Sequence, residues 1–187
     1  MAAGKLRATD RELTHLQGRP EAVHVSEKPG LGVTWMAGTD LGEGTIELDV
    51  HGRDVLQQSF VGVAFHREDD DTYEVVYLRP FNFRAQDAAR HEHAVQYVAL
   101  PEFDWPRLRK EFPEEFENPV DQSVVPTDWI SLRVVVHSTS VQMYVGNVKT
   151  PTLRVRKLGT ANQGMIGLWT GNNSDGDFAN LRLTPVR

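Results

Sequence analysis

Apolar and polar residues alternate with a period of two along most of this chain. In the segment GTIELDVHG, Ile46, Leu48 and Val50 alternate with polar residues, so a strand here has one apolar and one polar face. Short runs of this kind, separated by Gly, Asn, Asp and Pro, are typical of antiparallel sandwiches, and we expect an all-β fold of two antiparallel sheets. The other predicted strands are 21–27, 31–37, 59–67, 72–80, 93–100, 129–138, 140–147, 152–158, 164–171 and 178–185.

Helix is predicted at two places only. One candidate covers 10–18, with Asp10 as N-cap and Gly18 just beyond the end, and a frayed tail is the alternative. In the second, Asp104 caps a segment that Pro113 should end or kink. The large apolar residues of this segment fall near one helical face: Trp105, Leu108, Phe112 and Phe116. We interpret Trp105, and Trp129 at a strand start, as structural.

The chain length of 187 residues suits one domain. We expect residues 1–20 to be an N-terminal extension and residues 21–187 to form the β-sandwich domain. Residues 83–125 hold an insertion far longer than a hairpin needs. Because its aromatic residues argue for order, we expect this short helical insertion to form one wall of a binding face.

Composition narrows the classes of partner. The chain has no cysteine, which excludes disulfides and thiolate metal sites. Its formal net charge of −6, with both signs interspersed, argues against nucleic acid and anionic membrane surfaces and favours a neutral or weakly charged ligand. No apolar run is long enough to span a bilayer and the start lacks a signal peptide, so a periplasmic or extracellular protein would have lost its signal from this chain.

The closing half of the chain has a recognisable order of motifs. WISLRVVVHSTSVQMYVGN is followed by GMIGLWTG, a loop and FANLRL. This order resembles the concanavalin A-like lectin/glucanase superfamily over 23–186. Within it, the chain is most similar to 3-keto-disaccharide hydrolase-like domains, labelled family 16 glycosidase-like, where GTIELDV and FVGVAFH would be the paired early strands.

The resemblance implies a jelly-roll β-sandwich that binds or processes an oligosaccharide on its concave face. The superfamily includes lectins, glycosidases, polysaccharide lyases and non-catalytic modules, so the fold does not choose between them. The alternatives are a glycoside hydrolase-like enzyme, a lectin-like sugar-binding module and a protein-interaction domain.

The candidate catalytic residues are Glu47, Asp49 and His66. Laminarinase-type family 16 enzymes carry Glu-x-Asp-x-x-Glu on one strand, and Glu47 and Asp49 match the first two acids. The third position is Gly52. Retaining hydrolysis needs two carboxyl groups about 5 Å apart, so this strand supplies half of the arrangement. The alternative is that these carboxylates form the solvated face of a strand.

The candidate ligand-binding residues follow Phe60. Aromatic rings contact the apolar faces of a sugar, while Arg, Asn and Gln bind its hydroxyl groups. The strands and loops here supply both kinds of group, and the candidates are Tyr77, Arg79, Asn82, His93, Tyr97 and Trp169. We expect Arg79 to contact ligand with little role in stability. The alternative is an Arg79 paired with a carboxylate and a Tyr97 that fills core.

Two metal sites are conceivable from residue type. His91 and His93 resemble a zinc-binding pair that Glu92 or Asp49 would complete. The loop GNNSDGD offers the oxygen ligands that calcium takes, from Asn172, Asp175 and Asp177. Its spacing is not that of a regular calcium loop, and turn formation is the alternative. No other cofactor is predicted.

Overall fold

Two seven-stranded antiparallel sheets form the protein in the computed structural model, which describes residues 6–9 and 11–186. The first sheet contains, in spatial order, β1 (Leu6–Thr9), β4 (Gly32–Met36), β13 (Met165–Thr170), β6 (Val61–Arg67), β7 (Tyr73–Leu78), β8 (Val95–Leu100) and β9 (Glu117–Asn118). The second contains β12 (Leu153–Arg156), β11 (Ser140–Val145), β10 (Ile130–Val136), β5 (Gly44–His51), β14 (Gly176–Pro185), β3 (Arg19–Val25) and β2 (Leu13–Leu16). The predicted all-β sandwich is confirmed.

The two sheets differ in how they bury their faces. In β5 of the second sheet, buried and half-buried residues alternate along the strand, as the sequence pattern predicts. In β7 of the first sheet, every residue is buried. One face of β6 and β7 packs on the second sheet, since Val61 lies against Gly176 of β14. Residues on the other face of β7, such as Tyr73 and Val75, are buried as well.

Within the predicted N-terminal extension, the structure describes residues 6–9 and 11–20, and two strands in this part pair with the sheets. β1 is an edge strand of the first sheet and β2 is an edge strand of the second. Between them, the buried Arg11 donates to Thr170 Oγ1 and to the carbonyl of Gly30. The connection between the edge strands is thus tied to the sandwich.

The helix predicted over 10–18 is wrong, because Leu13–Leu16 is a strand that pairs with β3. A helix this short is marginal in water unless packing supports it, whereas an edge strand satisfies its backbone by pairing. The proposed cap, Asp10, lies outside the described residues.

The insertion covers the edge of the first sheet in two pieces, separated by β8. The first piece holds a 3-10 turn, Pro80–Asn82, and the helix α1 (Ala88–Glu92). The second holds α2 (Trp105–Glu111), where the side chain of Asp104 accepts from the backbone N–H of Arg107. Both the N-cap at Asp104 and the end of α2 just before Pro113 agree with the sequence-based expectation. Neither helix in the described part of the chain is long and apolar enough to cross a membrane.

A buried ionic cluster joins the sheets at one end of the sandwich. The carboxylate of Glu74 on β7 receives Lys157 Nζ at 3.2 Å, His66 Nδ1 at 2.9 Å and the hydroxyl of Tyr97. Tyr97 in turn accepts from the backbone N–H of Leu158 at 2.9 Å. Because a buried carboxylate needs opposite charge and donors, these contacts anchor the segment after β12 to the first sheet.

Lys157→Met is expected to lower the free energy of unfolding by about 3–5 kcal/mol, since it leaves Glu74 buried without its cation. Lys28→Met is the matched control: the Lys28 side chain is 43% exposed, and its Nζ lies 3.7 Å from Glu12 Oε1. Loss of this surface ion pair should lower the free energy of unfolding by less than about 1 kcal/mol. Urea unfolding of both variants measures the difference, and equal midpoints would show that the cluster is dispensable.

Candidate functional site

One row of side chains crosses the outer face of the first sheet. The strand register places Trp169, Gly62, Tyr77, Gln96 and Glu117 opposite one another on five neighbouring strands, β13, β6, β7, β8 and β9. Side chains directly opposite in an antiparallel pair lie on the same face. Gly62 is required here, because a Cβ at this position would lie 2.7 Å from Tyr77 Cβ. The rings of Tyr77 and Trp169 then meet above it, 4.8 Å apart.

Arg79 continues this row just beyond the end of β7. Its Nη2 donates to the Tyr77 hydroxyl at 2.8 Å and to Gln96 Oε1, and its Nη1 donates to the carbonyl of His93 at 3.0 Å. The guanidinium also lies 4.8 Å from the centre of the Tyr77 ring. Tyr77, Arg79 and Gln96 are all buried, so they form one fixed polar network.

Glu117 is the carboxylate of this network. It receives a bidentate ion pair from Arg109 of α2, with N–O distances of 2.7 and 2.6 Å. It also lies 3.2 Å from Arg79 Nη1 and 3.1 Å from His93 Nδ1. One buried carboxylate thus faces two guanidinium groups, and it joins the end of β7 to the insertion helix.

Burial determines the protonation of the two weakly ionising groups in the network. Burial raises the pKa of the Tyr77 hydroxyl, an effect that Arg79 opposes, so the phenol remains neutral. Burial lowers the pKa of His93, an effect that the nearby Glu117 opposes. His93 is therefore mainly neutral at pH 7 and can both donate and accept hydrogen bonds.

The accessible rim of the network lies on the insertion. Trp105, at the start of α2, is 49% exposed, and the guanidinium of Arg109 lies 4.9 Å from its ring centre. The side chains of Arg109 and His93 are 31% and 29% exposed. We refer to Trp105, Arg109 and His93 as the rim. An aromatic face beside hydrogen-bonding groups is a common arrangement for holding a sugar ring.

The structure brings together five of the six predicted ligand-binding residues: Tyr77, Arg79, Asn82, His93 and Trp169. Asn82 is held by a hydrogen bond from its Nδ2 to the carbonyl of His93 at 3.1 Å. Trp169 is buried beneath this face, so it is no exposed platform. Tyr97 lies on the opposite face of β8, in the Glu74 cluster.

The displacement of Tyr97 has a simple cause. We expected one strand to carry His93 and Tyr97 on a single face, but β8 begins at Val95, and His93 is the residue that ends α1. Gln96, the neighbour of Tyr97, therefore points to the site.

Sequence reasoning missed Gln96, Glu117, Arg109 and the exposed position of Trp105. The alternation of Gln96 with Tyr97 was a usable signal, since the two must face opposite ways on a strand. Glu117 and Arg109 gave no such signal. They are far from β7 along the chain, and only the folded insertion places them beside Arg79.

The three candidate catalytic residues do not share a site. Glu47 and Asp49 lie on the half-buried outer face of the second sheet, where Glu47 is opposite Arg133 and Arg182, and Asn180 Nδ2 donates to Asp49. His66 is buried, with Nδ1 at Glu74 and Nε2 3.1 Å from the carbonyl of Gly42. The solvated-face interpretation of Glu47 and Asp49 agrees with this placement.

Backbone geometry explains the position of His66. This residue has φ +53° and lies where the register between β6 and β13 is irregular. Such an irregularity redirects a side chain, and alternation along the sequence does not reveal it.

The predicted metal ligands are engaged with protein groups. Asn172 Oδ1 accepts from the backbone N–H of Gly30 at 2.7 Å, and Asp175 lies 2.7 Å from Arg53 Nε. Asp177 bridges His24 and His51 at 2.7 and 3.0 Å. His91 and His93 belong to α1 and its C-cap, so they are not a pair on one strand. Within the described residues, no group of three His, Asp or Glu side chains has a metal-binding arrangement.

Solved structures with the same fold include proteins of several kinds. The chain is similar to the carbohydrate-binding module CBM66 from Bacillus subtilis, with a TM-score of 0.66 and 11% identity over 96% of this chain and 95% of that one. It is similar to the exoplasmic/lumenal domain of VIP36 in its Ca²⁺/Man3GlcNAc-bound form, with a TM-score of 0.60 and 9% identity over 98% and 84%. It is also similar to a Bacillus licheniformis β-glucanase, with a TM-score of 0.54 and 12% identity over 99% and 84%.

These similarities confirm the predicted concanavalin A-like jelly-roll fold. At such low sequence identities, these similarities show the fold and nothing about function. No protein-family model and no curated protein matches the sequence, and the narrower likeness to 3-keto-disaccharide hydrolase-like domains stays a prediction.

Arg79→Ala is expected to lower the free energy of unfolding by about 3 kcal/mol or more, because it removes a buried partner of Glu117. This revises the expectation that Arg79 has little role in stability. Arg84→Ala, at an exposed position of the same insertion, is the control and should change stability by less than about 0.5 kcal/mol. Urea denaturation tests the pair, and an unaltered midpoint for Arg79→Ala would show that the ion pair is not structural.

Proposed function

We propose that this protein is a carbohydrate-binding module and that a sugar is held at the rim formed by Trp105, Arg109 and His93. The observation that carries the proposal is the exposed indole of Trp105 beside a guanidinium that Glu117 holds in place. A tryptophan that packs no core on its helix is available to stack on the apolar face of a pyranose.

The rigidity behind the rim supports binding. Arg109 is fixed by two hydrogen bonds to a buried carboxylate, and the backbone of His93 is fixed by Arg79 and Asn82. Because these side chains are already ordered, a ligand that binds them loses less conformational entropy. The long insertion thus builds a preformed wall at the edge of the first sheet.

Binding is favoured over hydrolysis by the state of the carboxylates. Glycoside hydrolysis canonically uses two carboxyl groups on either side of the scissile bond. In the described part of the chain, Glu117 is occupied by two arginines and Glu74 by the inner cluster. Glu47 and Asp49 lie on the other sheet, away from the rim.

The resemblance to known structures supports the ligand class. Proteins with this fold include a module described as carbohydrate-binding and a domain solved with Man3GlcNAc. The rim offers two elements that suit sugar recognition, an aromatic face and charged hydrogen-bond donors.

Trp105→Ala is expected to weaken glycan binding by roughly 0.5–1.5 kcal/mol, the contribution of an aromatic contact, with an unchanged melting temperature. Trp129→Ala is the matched control, because Trp129 also lies under a guanidinium, that of Arg19 at 4.3 Å, but directly precedes β10 of the second sheet. A glycan array followed by calorimetry measures both variants. Equal losses of affinity, or loss only in Trp129→Ala, would contradict the proposed rim.

Incubation with laminarin and mixed-linkage β-glucan is expected to release no reducing ends, because the chain lacks the third acid of the family 16 motif and its acids are separated. The same assay on Glu47→Gln serves as the control. Cleavage by the unmodified protein that Glu47→Gln abolishes would establish a hydrolase and overturn the binding-module assignment.

A further inference from the structure

The rim network carries positive charge, against the trend of the whole chain. Arg79 and Arg109 pair with its carboxylate, Glu117, and Arg90 lies beside it, where it donates to Asn82 Oδ1 and to the carbonyl of Phe81. The chain as a whole has a formal charge of −6. A cationic cluster on an acidic protein is therefore a local feature that composition did not reveal.

Two further carboxylates near the network do not neutralise it. Asp104 accepts the backbone N–H of Arg107 as the cap of α2. Glu92 is exposed at the end of α1, where water and salt weaken its field. The ion pairs of Glu117 thus set one buried cation, Arg79, and one half-buried cation, Arg109, against one carboxylate, with His93 neutral at pH 7.

The hydrogen-bond acceptors of the network are already occupied. Gln96 Oε1 receives both Arg79 and the Tyr77 hydroxyl, and the carboxylate of Glu117 receives two arginines. The backbone carbonyl of His93 receives Arg79 and Asn82. A bound molecule therefore meets a surface on which few of these oxygen atoms remain to receive its own hydroxyl protons.

Donors, in contrast, remain available. The amide nitrogen of Gln96 has no hydrogen-bond partner among the described residues, but it is fully buried and is therefore not a donor on the accessible surface. Arg109 uses Nε and Nη2 for Glu117, and its Nη1 has no partner within residues 11–186. The network is complementary to a ligand rich in acceptor oxygens.

From the surplus of positive charge and of donors, we infer that the rim takes an anionic glycan, one whose sugar ring carries a carboxylate or a sulfate ester. This inference rests on the proposed function and names its ligand class. It replaces the neutral or weakly charged ligand that the net charge of the chain favoured. A guanidinium binds such a group by charge-assisted hydrogen bonds, and a neutral hydroxyl gains less from it.

Matched pairs of oligosaccharides separate the ligand class from the function. The probes are tetragalacturonate with its methyl ester, and a sulfated galactan tetrasaccharide with its desulfated form, each titrated by calorimetry at low and at physiological salt. We expect one anionic member to bind about tenfold or more tightly than its neutral partner, with the preference shrinking as salt rises. The pair that shows the preference identifies carboxylate or sulfate as the source of the charge.

Arg109→Gln should remove this preference, and Arg109→Lys, which keeps the charge, should retain part of it. Arg107→Gln is the control on the same helix, since Arg107 pairs with Glu102 and Glu111 away from Glu117. The salt dependence of the unmodified protein tests the inference without any variant, should Arg109→Gln fail to fold.

Equal affinity for anionic and neutral members, or binding of neutral glycans alone on an array, would overturn the anionic ligand and leave the carbohydrate-binding function in place. The absence of binding to any glycan would overturn the proposed function, and the inferred ligand class with it. The two failures are therefore distinguishable.

Discussion

The ion pairs of Glu117 are the contacts on which the functional face of this protein depends. A carboxylate that is nearly removed from water is stable only with cations and donors around it, and here they come from β7, from α1 and from α2. By satisfying one buried charge, the fold fixes the insertion against the first sheet. The orientation of Arg109, and through it the surroundings of Trp105, follows from that requirement.

The first sheet carries a buried carboxylate on each of its two faces. Glu74 points inward and is neutralised by Lys157 from the connection after β12, while Glu117 lies on the outward row and is neutralised by Arg79 and Arg109. Both clusters pair a buried carboxylate with cations, but they have different roles. The inner cluster anchors a connecting segment to the sandwich, whereas the outer one holds the partly exposed side chain of Arg109 at an accessible edge.

The contrast between global and local charge bears on how such a protein chooses ligands. The formal net charge of −6 sets the summed field of the molecule at long range. At contact distance, the few side chains of the rim determine which ligand binds. A partly desolvated guanidinium there interacts with a ligand far more strongly than distant, screened carboxylates do.

The sequence by itself determined the fold class, because period-two alternation requires strands with one buried face, as in β5. It also located α2, through the N-cap at Asp104 and the helix-ending Pro113. It placed Tyr77 and Arg79 together, since residues two apart at the end of one strand share a face, but it did not indicate Trp105 or Arg109 as residues of the rim. Only the tertiary structure decided that residues 13–16 form a strand, that His66 turns inward at an irregularity, and that Glu117 and Arg109 join Arg79. Those outcomes depend on pairing and ion contacts between segments distant along the chain, and local pattern contains no record of such contacts.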